Sequence, residues 1–176
     1  MVDKFFKHLF ILSLITFSFI SCKSEKETAQ EKTEPSASTY QNPLSVEFGD
    51  PFVLDDGNGN YYMYGTGGGA KDGFSTYYSS DLVNWEYKGQ VYWGKTEDSW
   101  GIDAFWAPEV YKKEGKYYMF FSAQWKENPN NDLEIFKVGV AVADKPTGPF
   151  KDMKEEPLFD PGYPIIDANV FKDNDG

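Results

Sequence analysis

Asp50 and Asp167 each open a stretch of the same design, "DPFVLDDGNGNYYMYGT" and "DANVFKDNDG", and a third stretch, "APEVYKKEGKYYMFFSA" from Ala107, lies between them. Carboxylates carried on separate repeats and brought to one pocket suit glycosidic chemistry, in which one acid activates water and another group protonates the leaving oxygen. On spacing alone, the alternative is that each aspartate caps the turn ahead of its strand. The segment "GIDAFWAPEVY", Gly101 to Tyr111, adds Asp103, Phe105, Trp106 and Glu109 around Pro108. An indole there can stack on a sugar ring while the acids bond its hydroxyls. The same spacing also suits a Trp106 that fills the core between repeats.

Composition removes most other chemistries. Lys4 and Lys7 form a basic start, Leu9 to Ile20 an apolar run too short to span a bilayer, and Ser21-Cys22 a small-residue cleavage context. Residues 1–21 therefore read as a signal peptide. Cys22, the single cysteine, resembles the acylated cysteine of the bacterial lipoprotein lipobox, with an ordinary secretory signal ending in cysteine as the alternative. Residues 22–39 comprise that cysteine and a polar tether without an aromatic residue, too polar to bury a core. Its acidic beginning, "KSEKE", is similar to the export signal of some Bacteroidetes surface lipoproteins. These features predict an outer-membrane lipoprotein of the bacterial cell envelope, facing periplasm or cell surface, with the membrane as a partner through its lipid.

The one histidine, His8, falls in the signal, so Ser–His and Cys–His catalysis and histidine-bearing zinc sites are unavailable to the mature chain. Carboxylates, tyrosine, lysine or serine must carry any reaction, and no metal ligand set is assigned. The net charge of −11 becomes −12 once Lys4, Lys7 and Asp3 leave with the signal, and there is no arginine. Phosphate polymers attract basic patches, so this balance argues against nucleic acid and against polyanionic substrates. Aromatic residues make up 18% of the chain, and all five tryptophans lie beyond residue 21, more than a core of this size needs.

The elements that must position the acids are set by the repeat. Val53, Val110 and Val170 mark equivalent positions 57 and 60 residues apart, a period that suits propeller blades. Each copy places Tyr, Phe, Val and Met runs around a Gly/Asn/Asp/Lys turn, the pattern of a β-hairpin. "TYYSSDLVNWEYKG" and "GVAVADKPTGPFKD" continue the first two copies with a strand, an aspartate (Asp81, Asp144), a turn, and an aromatic (Trp85, Phe150) opening the next strand. Four antiparallel strands per repeat make a blade whose first strand lines the central channel. Residues 40–176 then hold two blades and the opening hairpin of a third, which cannot close a ring, so the repeats predict the N-terminal part of a longer propeller. Two mimics are set aside. "GTGGGAKDG" precedes a strand, not the helix a phosphate loop requires, and reads as a flexible loop at a blade edge. "DDGNGN" lacks the central glycine and late glutamate of a calcium loop and reads as a hairpin turn.

Five motifs in order and spacing, "GDPFVLDDGNGNYYMYGT", "SSDLVNWE", "FWAPEVYKKEGKYYMFFS", "VAVADKPTGPF" and "IIDANVFKDNDG", resemble glycoside hydrolase family 43, over roughly Pro43 to Gly176. The resemblance implies an all-β, five-bladed β-propeller and an inverting hydrolase of arabinan, xylan or related glycans, with carbohydrate as substrate. It implies that Asp50 is the general base and that Asp167 modulates the pKa of the general acid. Asp103, Phe105, Trp106 and Glu109 fall at the sugar-binding wall, although many relatives carry aspartate at the position of Glu109. The acid itself is a glutamate of a later blade that no residue here matches. The resemblance implies no required cofactor; structural calcium occurs in some relatives, but its usual axial ligands are not visible in this sequence. A glycan-binding propeller lipoprotein that does not cut, or a related five-bladed phosphorylase, are the alternatives.

Overall fold

A computed structural model describes Asn42, residues 44–127 and residues 135–174; the expected signal, Cys22 and tether over 1–39 lie outside these residues. The described residues form eight strands: β1 (Phe48–Asp55), β2 (Tyr61–Gly67), β3 (Gly73–Ser79), β4 (Glu86–Trp93), β5 (Gly101–Lys113), β6 (Lys116–Trp125), β7 (Phe136–Ala143) and β8 (Lys151–Asp152). They make two four-stranded antiparallel sheets, in the orders β1-β2-β3-β4 and β5-β6-β7-β8. Each sheet is one blade, so the all-β propeller architecture read from the repeat holds.

The turns follow from their side chains. In the β1–β2 hairpin, Asp55 accepts the Gly57 N–H at 2.8 Å, and Asp56 accepts those of Asn58 and Asn60 at 2.8 and 3.2 Å. These are Asx contacts that close a tight turn, and Gly57 and Gly59 supply the positive φ it needs. Between β3 and β4, Asp81 accepts the Asn84 backbone and side-chain N–H groups and the Val83 N–H, which hold its carboxyl well below the usual range. Asp144, its counterpart in the second blade, pairs instead with Lys116 at 2.8 Å.

A four-stranded blade is hydrophobic on both faces and must bury them against neighbours. Phe74 and Tyr92 of the first blade meet Phe105 and Phe121 of the second, with Phe74–Phe121 and Tyr92–Phe121 ring centroids 5.4 and 4.8 Å apart. Trp100 stacks on Phe121 at 5.5 Å and is fully buried. Burying each such side chain stabilises by roughly 2–3 kcal/mol. Two glycines admit the rings: a Cβ on Gly94 would sit 2.0 Å from Phe105, and one on Gly139 2.3 Å from Trp100. At the outer edge, the Phe150 N–H donates to the Val91 carbonyl at 2.7 Å, so Phe150 bridges to β4 before β8 begins.

Both inner strands carry the same irregularity. Three steps from Gly49 to Phe52 are matched by two steps on β2, and three steps from Trp106 to Glu109 by two on β6. Each is a β-bulge, which bends the strand and re-aims a side chain. Asp50 and Ala107 sit in these bulges with φ of 46° and 45°, and Asp167, at the same place in the third repeat, has φ 60°. Aspartate tolerates the left-handed region; alanine does so at a cost.

Among the described residues the expected opening hairpin of a third blade is not seen. Residues 161–174 contain no strand, because no described segment offers a ladder partner. Side chains and carbonyls of the second blade meet this backbone instead: Ile165 N–H donates to the Phe136 carbonyl at 3.0 Å, Asp167 N–H to Ser122 Oγ at 2.9 Å, and Val170 N–H to the Tyr111 hydroxyl at 3.3 Å.

Two stability predictions follow from these contacts, each measured on the full-length protein. Ala107→Gly should raise stability by about 1 kcal/mol by releasing the left-handed strain; a lower thermal midpoint would refute that strain. Asp152 accepts hydrogen bonds from Tyr92 and Ser99 at 3.1 and 3.2 Å where the blades meet, and burial pushes its carboxyl up to about 6. The folded state thus binds this proton more tightly, and the group's stabilising effect is full below about 3.8 and lost as pH rises through about 6. The thermal midpoint of Asp152→Asn, taken relative to wild type, should climb from pH 4 to pH 7; a constant difference would sink the assignment.

Candidate active site

Antiparallel order brings the start of β1, the β2–β3 turn, the β4–β5 connection and the start of β5 to one end of the blades. Asp50 stands there in its bulge, exposed, with Oδ2 accepting the Thr66 hydroxyl at 3.0 Å. Among the described residues that is its one side-chain hydrogen bond, so Oδ1 has no partner. The Thr66 oxygen in turn accepts the Ala107 N–H at 2.9 Å. The second blade repeats the device: Ser122 faces Trp106 across the ladder as Thr66 faces Gly49, and its oxygen accepts the Asp167 N–H. One hydroxyl per blade therefore ties the bulge of one repeat to the next, and Asp50, Ala107 and Asp167 occupy equivalent places at the same end.

Trp106 immediately precedes Ala107. Its indole stacks on Phe136, with centroids 4.3 Å apart and planes 22° apart, yet it keeps 38% of its surface exposed. With Pro164, Ile165 and Ile166 the two rings line a shelf of about 270 Å³. A partly exposed, stacked indole is a suitable platform for a sugar ring, and the alternative of a core role for Trp106 is not what the structure gives.

Phe105 requires correction. It is 7% exposed and packs on Phe74, Tyr92 and Phe121, so it belongs to the interblade core and lines no sugar site. Strand alternation explains this, since its neighbour Trp106 takes the opposite face. Asp103 is exposed at the same end but engaged: its carboxylate accepts the Ala104 N–H at 2.9 Å and lies 3.4 Å from Lys95. Those two contacts, the backbone one larger, hold its carboxyl below the ordinary value. Lys95 also pairs with Asp72 at 2.8 Å, clipping the glycine-rich turn to this end of the second blade. Glu109 commits Oε2 to the Tyr111 hydroxyl and to Asn169 Nδ2, the latter at 3.2 Å, leaving Oε1 for a ligand. It braces the inner strand of the second blade against the third repeat.

Sequence reasoning missed Thr66, Ser122 and Asn169. The hydroxyls were within reach: "YYMYGT" and "YYMFFS" end on Thr66 and Ser122 when the repeats are aligned from their tyrosine pairs. Among the described residues no three His, Cys, Asp or Glu side chains gather closely enough to hold a metal ion.

Comparison with known proteins agrees with this geometry. The model of Glycosyl hydrolases family 43 matches residues 40–176. A xylosidase/arabinosidase of Bacteroides ovatus is 35% identical over 125 residues, covering 70% of this chain and 34% of that protein. A crystal structure of a thermostable family-43 glycoside hydrolase superposes with TM-score 0.67 at 40% identity, over 78% of this chain and 42% of that one. An endo-arabinase from Bacteroides thetaiotaomicron follows at TM-score 0.63 and 28% identity, over 79% and 46%. The chain spans less than half the length of each of these relatives. With the match running through both blades, their bulged inner strands and Asp167, the chain belongs to glycosyl hydrolases family 43.

Proposed function

We propose that the protein hydrolyses O-glycosidic bonds of arabinan- or xylan-type glycans with inversion, Asp50 serving as general base. The observation that carries this reading is the state of Asp50. One carboxylate oxygen is anchored by Thr66 and the other is unpartnered, at the blade end shared with Trp106 and Asp167. A carboxylate held in this way can accept a proton from water without losing its own orientation. Inversion needs room for that water between two carboxyl groups roughly 6.5–9.5 Å apart, which suits acids delivered by separate blades. Trp106 supplies a face for the sugar ring. Asp167 keeps the proton donor protonated through like-charge repulsion. The donor is a glutamate of a later blade, by resemblance to the family, and no residue of 40–176 matches it. Acid–base hydrolysis of this kind needs no cofactor. Support for the substrate class comes from relatives named as xylosidases and arabinosidases.

The protein works from the cell envelope, held by lipid on Cys22. What supports this is the order of basic start, apolar run and Cys22 in the sequence. Palmitate labelling in a bacterial host should be present in the wild type and absent in Cys22→Ser; labelling that survives the substitution would rule out the anchor.

Activity is tested on the full-length protein with 4-nitrophenyl α-L-arabinofuranoside and β-D-xylopyranoside. Asp50→Ala should lower kcat by about 10²–10⁴-fold and leave binding intact. Asp167→Asn removes a charge that raises the acid's pKa, so the basic limb of its pH–rate profile should move to lower pH. Wild-type turnover by Asp50→Ala, or an unmoved basic limb in Asp167→Asn, would overturn the respective role.

A further inference from the structure

Among the described residues, Thr66 is the one side chain that hydrogen-bonds both the carboxylate of Asp50 and the backbone of the second blade. Its hydroxyl oxygen lies 3.0 Å from Asp50 Oδ2 and 2.9 Å from the Ala107 nitrogen. The direction of both bonds is fixed by elementary chemistry. A backbone N–H can donate and cannot accept, so Thr66 must accept from Ala107. Its single proton is then free for Asp50, and a carboxylate is the better acceptor. The relay runs in one sense only, from Ala107 N–H through Thr66 to Asp50, and each bond polarises the next.

Three further features make the relay a device for aiming. Asp50 is exposed and sits in a left-handed bulge, and among the described residues Thr66 makes the one side-chain hydrogen bond to its carboxylate. Thr66 is half-buried on β2, and a β-branched side chain has few χ1 choices, so it forms a stiff anchor. Ala107 follows Trp106 directly, so the hydroxyl that orients Asp50 also registers the first blade against the strand that presents the indole. The equivalent hydroxyl, Ser122, accepts the Asp167 N–H but receives no carboxylate contact, because its bulge residue is Ala107 where the first blade has Asp50. The interblade bond is thus common to both repeats, and the bond to a carboxylate belongs to Thr66 alone.

We propose that Thr66 is a positioning residue that holds Oδ2 of Asp50 and so aims Oδ1 at the attacking water, in register with the sugar platform at Trp106. This rests on Asp50 being the base. The inference asks nothing of Thr66 in substrate contact, so it belongs to kcat and not to KM.

The test uses the full-length protein and the same two aryl glycosides, with Thr66→Val, Thr66→Ser and Asp50→Ala compared. Thr66→Val keeps the shape and removes the hydroxyl; kcat should fall by about 10- to 100-fold while KM stays within about twofold. Thr66→Ser restores the hydroxyl, and kcat should return to within about threefold of wild type. Should the valine variant misfold, Thr66→Ala gives the same comparison with serine. Wild-type kcat in Thr66→Val, with Asp50→Ala inactive, would leave the base in place and overturn the positioning role. A serine variant as slow as valine would overturn it too, because the hydroxyl would not be the agent. Full turnover by Asp50→Ala would instead remove the base assignment, and this inference with it.

Discussion

A single four-stranded sheet with apolar residues on both faces cannot stand alone in water, and the contact that answers this here is the aromatic layer centred on Phe121. Phe74, Tyr92, Trp100 and Phe105 surround it at ring separations of 4.8 to 6.2 Å, drawn from both blades. Everything at the candidate site depends on that layer, because the acids and the indole lie on different blades and have meaning only when the blades are in register. Gly94 and Gly139 belong to the same constraint, since any side chain there would displace a ring.

Aromatic packing fixes how close the blades lie but is tolerant of small sliding. Directional bonds set the finer register. Thr66 takes the N–H of Ala107 and Ser122 that of Asp167, the equivalent residue of the third repeat, and Phe150 binds β4 at the outer edge. Glu109, Tyr111 and Asn169 add a polar brace between the second and third repeats. Burial and the neighbouring Glu109 raise the Tyr111 pKa, which keeps its hydroxyl a donor within that brace. Polar groups placed at half-buried junctions gain strength from partial exclusion of water while their geometry stays specific.

The bulges explain why a repeat built for packing can carry chemistry. An unbroken strand would alternate its side chains strictly between faces and leave the residue at position 50 where the ladder dictates. One additional residue breaks the alternation and turns the strand start toward the blade end. Aspartate accepts the left-handed backbone this requires, whereas Ala107 occupies the same conformation under strain, held by proline after it and the Thr66 bond to its nitrogen. The repeat tolerates a strained alanine in one blade and uses an aspartate in the other two copies.

The sequence by itself determined the strands, the two-blade repeat, the aspartates at repeat starts and the stacking role open to Trp106. These rest on local causes: residue periodicity, turn chemistry and the spacing of Val53, Val110 and Val170. It did not reveal that Phe105 is core, that Glu109 and Asp103 are already engaged, or that Thr66 joins Asp50 to Ala107. The contacts that join one repeat to the next, Thr66 with Ala107 from 41 positions away and Asn169 with Glu109 from 60, are set by the packing of one repeat on another. Residues 161–174 hold no strand for a tertiary reason too, as a strand exists only when a second strand completes its hydrogen bonds. Periodicity can name the face a side chain takes; only the folded blades decide what stands across from it.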